Sequence, residues 1–144
     1  MLESIQESEL FRGVSERMLA EIRAASEAIA FSEGAVIFNA GDEALYVYEL
    51  VEGSVDLIML EKEIVHLKVS ETGHIFGWSA LVEPYTRTAT AKCTAPTRVI
   101  GMSRDTIENA IEQHPHDGLA ILKNLTRIIA HRLREAYTYI HYYG

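Results

Sequence analysis

The chain has 144 residues, 48% of them hydrophobic and 24% charged, which suits one domain with a core of its own. Lys and Arg total 13 against 21 Asp and Glu, a formal net charge of -8, so binding a polyanion through bulk charge is disfavoured. Cys93 is the single cysteine, which excludes an intrachain disulfide framework, a cysteine zinc site and a four-thiolate cluster. No apolar run is long enough to span a bilayer, and Met-Leu-Glu-Ser is not a secretory start. The expectation is a reduced, cytoplasmic domain that neither enters a membrane nor binds nucleic acid directly.

Residues 1–30 read as helical. Ser15 is a suitable N-cap, and Met18, Leu19, Ile22, Ala25 and Ile29 form one apolar stripe behind it. From Phe31 to about Ser103 the texture becomes short β-rich runs punctuated by Gly34, Gly41, Gly53 and Gly73. The runs are Val36 to Phe38, Leu45 to Val51, Val55 to Leu60, Ile64 to Val69, Arg87 to Lys92 and Arg98 to Met102. Such spacing predicts a sandwich or barrel rather than a parallel α/β sheet. Helix returns over residues 104–144. Ser103 caps it, Asp105 lies in the first turn, and Pro115 closes the first segment. A last helix from about Asp117 towards Ile140 carries Ile121, Leu122, Leu125, Ile128, Ile129, Leu133, Ala136 and Ile140. That set is wider than one buried stripe, so one face is read against the barrel and the other against a partner, most simply the same helix of a second subunit. A fully docked helix in a monomer is the other reading. No internal repeat or linker implies a second domain.

The chemistry concentrates between Phe76 and Thr90. Gly77 leads into a short turn of small residues, Trp78, Ser79 and Ala80, whose free amides favour an anion. Arg87 follows ten residues after Gly77, at the start of a predicted strand, with the Thr88 hydroxyl beside it. Arginine's planar fork of donors suits phosphate oxygens. Arg87 as an ion-pair partner of Glu83 or Glu71 is the plain structural alternative.

These residues resemble a family. Gly34 to Asp42 matches "G-x-x-I-F-x-x-G-D", Gly53 sits in a hairpin turn, Gly73 and Gly77 precede a cassette, and Arg87-Thr88-Ala89 closes it. From about Leu10 to Leu133 the chain resembles the cyclic nucleotide-binding domain of catabolite activator-type regulators, cyclic nucleotide-dependent kinases and gated channels. The resemblance implies an α+β fold: a double-stranded β-helix, or jelly-roll β-barrel, with N-terminal helices and a long C-terminal helix. It also implies that Arg87 and Thr88 hold a cyclic phosphate, with amides around Ser79 and Ala80, and that the last helix lies over a base; Thr126, His131 and Tyr137 are the candidates there, each with a plain surface or interface role as the alternative.

One departure stands out. The family's cassette has glycine followed by a glutamate that accepts the ribose hydroxyl, and this chain has Gly77-Trp78. Losing such a hydrogen bond costs about 1.5–3 kcal/mol, or roughly ten- to hundred-fold in affinity. Two readings follow. The first is a non-enzymatic sensor of cyclic AMP or cyclic GMP. The second is a domain that takes a different small anion, or a ligand-free interaction or dimerisation module whose pocket is altered by Trp78. Tyr137, Tyr139, Tyr142 and Tyr143 are placed to stack on a base or a partner, with a plain tail the favoured reading for the last two.

Other chemistry fits poorly. His114-Pro115-His116 has no third ligand nearby, and His66 and His74 lack the paired histidine and carboxylate of a barrel metalloenzyme. Cys93 and the serines lack a histidine partner pattern, so Cys93 reads as a small buried residue. No metal or cofactor is expected. Lys123, Arg127, Arg132 and Arg134 make the last helix locally basic, as dipole complementation or a partner face would. Regulators of this family continue into a helix-turn-helix domain, for which residues up to Gly144 leave no room; the chain reads as a stand-alone sensor or a piece of something longer.

Overall fold

Eight strands form two four-stranded antiparallel sheets in a computed structural model that describes residues 8–60 and 64–143. The first sheet has the order β1 (Glu27–Phe31), β8 (Thr97–Ser103), β3 (Tyr46–Glu52), β6 (Ile75–Phe76). The second has the order β2 (Val36–Phe38), β7 (Thr90–Cys93), β4 (Val55–Leu60), β5 (Ile64–Val69). Among the described residues three α-helices complete the fold: α1 (Glu16–Ala24), α2 (Arg104–Gln113) and α3 (Pro115–Tyr143). This is the mixed helix-and-sheet jelly roll with a long C-terminal helix that the resemblance implied.

Strand alternation splits the core in two. Along β3, Tyr48 and Leu50 face the space between the sheets, joining Phe38, Leu57, Leu67, Phe76 and Val99. Val47 and Val51 face the helices, joining Met18, Ile22, Ile100, Ile107, Ile121, Leu125 and Ile128. The first sheet is therefore covered on both faces, which is why β3 and β8 carry buried apolar residues on both sides, Val47 with Ile100 and Leu50 with Val99.

The helical segment at the N-terminus is shorter than residues 1–30. α1 ends at Ala24, and Ile29 belongs to β1, with Ala28 and Ala30 turned outward. Glu27–Phe31 extends the first sheet by pairing with β8, Ile29 opposite Val99 and Phe31 opposite Thr97. Alternation of Ile29 and Phe31 is a period of two, and its burial against the sheet overrides the helix propensity of the alanines. Residues 1–7 lie outside the described residues.

Caps fall where expected. Ser15 Oγ accepts from the Met18 amide at 3.3 Å, and Ser103 Oγ accepts from the Thr106 amide at 3.1 Å. Pro115 opens α3 rather than merely closing α2: it is the first residue of that helix, where its missing N–H is no loss. His114 before it is non-helical, with φ -130 and ψ 72. Asn124 is buried and fastens α3 to the N-terminal 3-10 turn, donating to the carbonyls of Leu10 at 2.8 Å and Arg12 at 2.9 Å. Two faces of α3 are visible. Ile121, Leu125 and Ile128 are buried, whereas Leu119, Leu122 and Leu133 are about half exposed and Tyr137 is 65% exposed. The side chains of Tyr139, Ile140, Tyr142 and Tyr143 lie outside the described residues. No described helix is long and apolar enough to cross a membrane.

Candidate ligand-binding site

Between the second sheet and α3 lies a cavity of about 250 Å³. Phe38, Leu57, Met59 and Leu67 line it from the barrel, and Ile129, Leu133 and Ala136 from α3. Gly77, Trp78, Ser79, Arg87 and Thr88 form its polar end. Five of the six cassette residues named from the sequence are thus brought together. Ala80 is buried behind them, outside the lining.

Arg87 is only 5% exposed. The strand expected from Arg87 begins instead at Thr90; Arg87 is held by backbone bonds to the Gly41–Asp42 turn, its N–H donating to the Asp42 carbonyl at 2.8 Å. Its guanidinium lies over the Phe38 ring, 4.0 Å from the centroid. Nη1 donates to the Gly77 carbonyl at 2.8 Å and Nη2 to the Tyr46 carbonyl at 2.6 Å. Those bonds are with backbone, and Glu71 engages His74 instead, at 3.2 Å. Nε is buried with no hydrogen-bond partner. Burial in this apolar surrounding lowers the Arg87 pKa from its ordinary value, with Tyr48 and Asp42 opposing the shift. An anion beside Nε would satisfy the orphan donor and offset the desolvated charge.

Gly77 makes that arrangement possible. Its φ is +79, and a Cβ there would come within 2.8 Å of Arg87 Nη1. The turn it starts is a single 3-10 helix, Trp78–Leu81. The Ala80 amide, expected to face an anion, already donates to the Gly77 carbonyl at 3.2 Å. The amide contribution is therefore smaller than the sequence suggested.

A second arginine braces the cassette from outside. Arg104, the first residue of α2, donates through Nε to the Ala80 carbonyl at 2.8 Å and through Nη2 to the Ala44 carbonyl. It stacks on Tyr85, 3.7 Å from the ring centroid. Arg87 and Arg104 thus each join the cassette to the segment entering β3, one at Gly77 and Tyr46, the other at Ala80 and Ala44.

The residues expected to face a base are elsewhere. Thr126 is exposed and bonds its own helix, Oγ1 to the Leu122 carbonyl at 2.8 Å. His131 is exposed with Glu135 at 3.6 Å, and Tyr137 faces outward. None of the three lines the cavity. α3 brings Arg132 to it instead, a residue that the sequence reading grouped with surface charge. The spacing Ile121, Leu125, Ile128, Arg132 follows the buried stripe and could have revealed it.

A model of the cyclic nucleotide-binding domain matches residues 28–114. The chain belongs to the cyclic nucleotide-binding domain family. A solved cyclic nucleotide-binding domain from Methylobacillus flagellatus is similar over 96% of this chain and 79% of its own, at 25% identity and a TM-score of 0.81. The CRP-like cAMP-activated global transcriptional regulator of Mycobacterium tuberculosis is 24% identical over 93% of this chain and 59% of its own length. Glutaminase 1 of Bradyrhizobium diazoefficiens is 30% identical over 90% of this chain but only 21% of its own length. The chain thus spans about a fifth of the glutaminase and under two thirds of the regulator. The half-buried side chain of Trp78 lines the cavity.

Proposed function

We propose that this is a non-enzymatic sensor domain that takes up a small organic anion of cyclic-nucleotide type. Arg87 and Thr88 hold the phosphate, with Ser79 beside it. The observation that carries this reading is the buried Nε of Arg87, without a partner, beside Thr88 and Ser79 in a largely apolar cavity that Arg132 also lines. A charged donor so placed is costly without an anion. The similar regulator of Mycobacterium tuberculosis is cAMP-activated, which favours cyclic AMP as the first ligand to test.

The last helix conveys occupancy. Leu133 and Ala136 line the cavity and also belong, with Leu119, Leu122, Thr126 and Ile129, to a stripe spaced alternately by three and four residues. That spacing is the seam of a coiled coil, and the half-exposed leucines on it favour a second copy of α3 as partner. A dimer formed there would seal the cavity, linking ligand to assembly.

Calorimetric titration with cyclic AMP and cyclic GMP, on wild type and Arg87→Ala, tests the reading. Heat of binding in wild type that disappears in the variant is expected. Equal heats for both proteins, or none for wild type, would overturn it.

A further inference from the structure

Three successive backbone carbonyls leading into β3 are taken by two arginines. Arg104 Nη2 donates to the Ala44 carbonyl, the Arg104 backbone N–H to that of Leu45 at 2.9 Å, and Arg87 Nη2 to that of Tyr46 at 2.6 Å. The same two side chains reach the cassette, Arg87 Nη1 at the Gly77 carbonyl and Arg104 Nε at the Ala80 carbonyl, each at 2.8 Å. Gly77 and Ala80 are the two ends of one turn, closed by the Ala80 amide donating to the Gly77 carbonyl at 3.2 Å. Two guanidinium groups therefore span the same gap between the same two segments. Arg87 lines the cavity and Arg104 does not.

The place of Arg104 is demanding. Its fork takes two carbonyls while its face lies on the Tyr85 ring, 3.7 Å from the centroid, and Tyr85 itself has φ +60. Ala44 and Ala80 are fully buried, so without Arg104 both carbonyls lose a charged donor away from water. Relief requires the backbone to move. The Ala44 amide donates to the Tyr85 carbonyl at 2.7 Å, and two residues further on the Arg87 amide donates to the Asp42 carbonyl at 2.8 Å. Movement at Ala44 thus reaches the backbone that carries Arg87, and movement at Ala80 reaches the carbonyl that orients its Nη1.

We propose that Arg104 is a positioning residue of the anion site: it fixes the gap that Arg87 spans, and with it the affinity for the anion, without touching the ligand. The proposal rests on Arg87 holding the ligand anion and adds a determinant outside the cavity lining. Geometry rather than charge is the means. A lysine at position 104 keeps the charge but has no planar fork to hold both carbonyls and no flat face for Tyr85.

Arg104→Lys and Arg104→Gln test this by calorimetry with cyclic AMP and by amide hydrogen exchange of the ligand-free proteins. Both variants should bind cyclic AMP at least about tenfold more weakly than wild type. Exchange at the Ala44 and Arg87 amides should quicken at least about tenfold, while the amides of β4 and β5 keep their protection. Wild-type affinity in the lysine variant overturns the proposal, because charge then suffices. Unchanged exchange at Ala44 and Arg87 overturns it too, as does a loss of protection spread evenly over both sheets, the mark of lowered stability alone. Tyr85→Asn suits the positive φ and removes only the ring, so it carries the test if neither Arg104 variant folds. It should weaken cyclic AMP binding about threefold or more, and wild-type affinity there would overturn the proposal. Wild type that binds no cyclic AMP rejects the nucleotide reading by itself, and the exchange comparison then decides the role of Arg104.

Discussion

Arg132 and Arg87 reach into one cavity from different parts of the fold while gripping the same short segment: Arg132 Nη2 holds the Ile75 carbonyl at 3.1 Å, and Arg87 Nη1 holds the Gly77 carbonyl at 2.8 Å. The Ile75 amide is held as well, donating to Glu9 Oε1 at 2.9 Å. β6 is an edge strand, so side chains from the N-terminal turn, the cassette and α3 converge on its backbone. Arg132 therefore links α3 directly to this segment.

Gly77→Ala tests how closely the cassette is fitted to Arg87. The added Cβ meets Nη1 at 2.8 Å and sits on a backbone with φ +79. A loss of about 1–3 kcal/mol is expected in denaturant unfolding, from strain together with displacement of the guanidinium. A variant as stable as wild type would contradict the contact.

Trp78→Glu places a carboxylate where the cavity has none. It should raise affinity for cyclic AMP by roughly ten- to hundred-fold, by accepting a sugar hydroxyl. Trp78→Gln, lacking the charge, should gain less. Unchanged affinity in the glutamate variant would show that this position does not meet the sugar.

The junction of α1 and α3 should be acid-sensitive. Asp117 accepts from the Ser15 amide at 3.1 Å and from Ser15 Oγ, and these bonds hold its pKa below the ordinary aspartate value, with His114 and His116 assisting. A depressed folded pKa stabilises above the unfolded value and loses that stabilisation as pH falls through the folded one. Asp117→Asn should therefore be less stable than wild type at neutral pH, the difference shrinking below about pH 4. A difference that stays constant down to pH 2 would place the effect elsewhere.

Leu122→Asp and Leu133→Asp each put a charge on the exposed stripe of α3. If two copies pair there, either variant should shift the mass in light scattering from dimer to monomer while the circular dichroism spectrum is kept. A wild-type monomer at high concentration would refute the pairing.

Much of this was legible in the chain itself. Glycines and alternating apolar runs marked β2 to β5 and β8, and the ten-residue interval from Gly77 to Arg87 marked the polar end of the cavity. What stayed hidden depended on tertiary context. Glu27–Phe31 carries alanines that favour helix, and only pairing with β8 makes it a strand. β6 is two residues long, too short for any periodic signal. Arg132 sits among other cations, and charge alone does not tell a solvated arginine from one folded inward along a buried stripe. Thr126 and His131 drew notice as polar groups on the same helix, yet its rotation turns them to solvent.

The account rests on the Arg87 Nε–H, buried without a partner, being the donor that the ligand anion takes. Nitrogen-15 NMR of the arginine Nε–H signals reads this directly, with the Arg87 resonance assigned from the spectrum of Arg87→Lys. On saturation with cyclic AMP, that signal should move downfield and exchange more slowly with water, as a newly formed charge-assisted hydrogen bond requires. An Arg87 Nε–H signal unmoved at saturation would contradict the central claim.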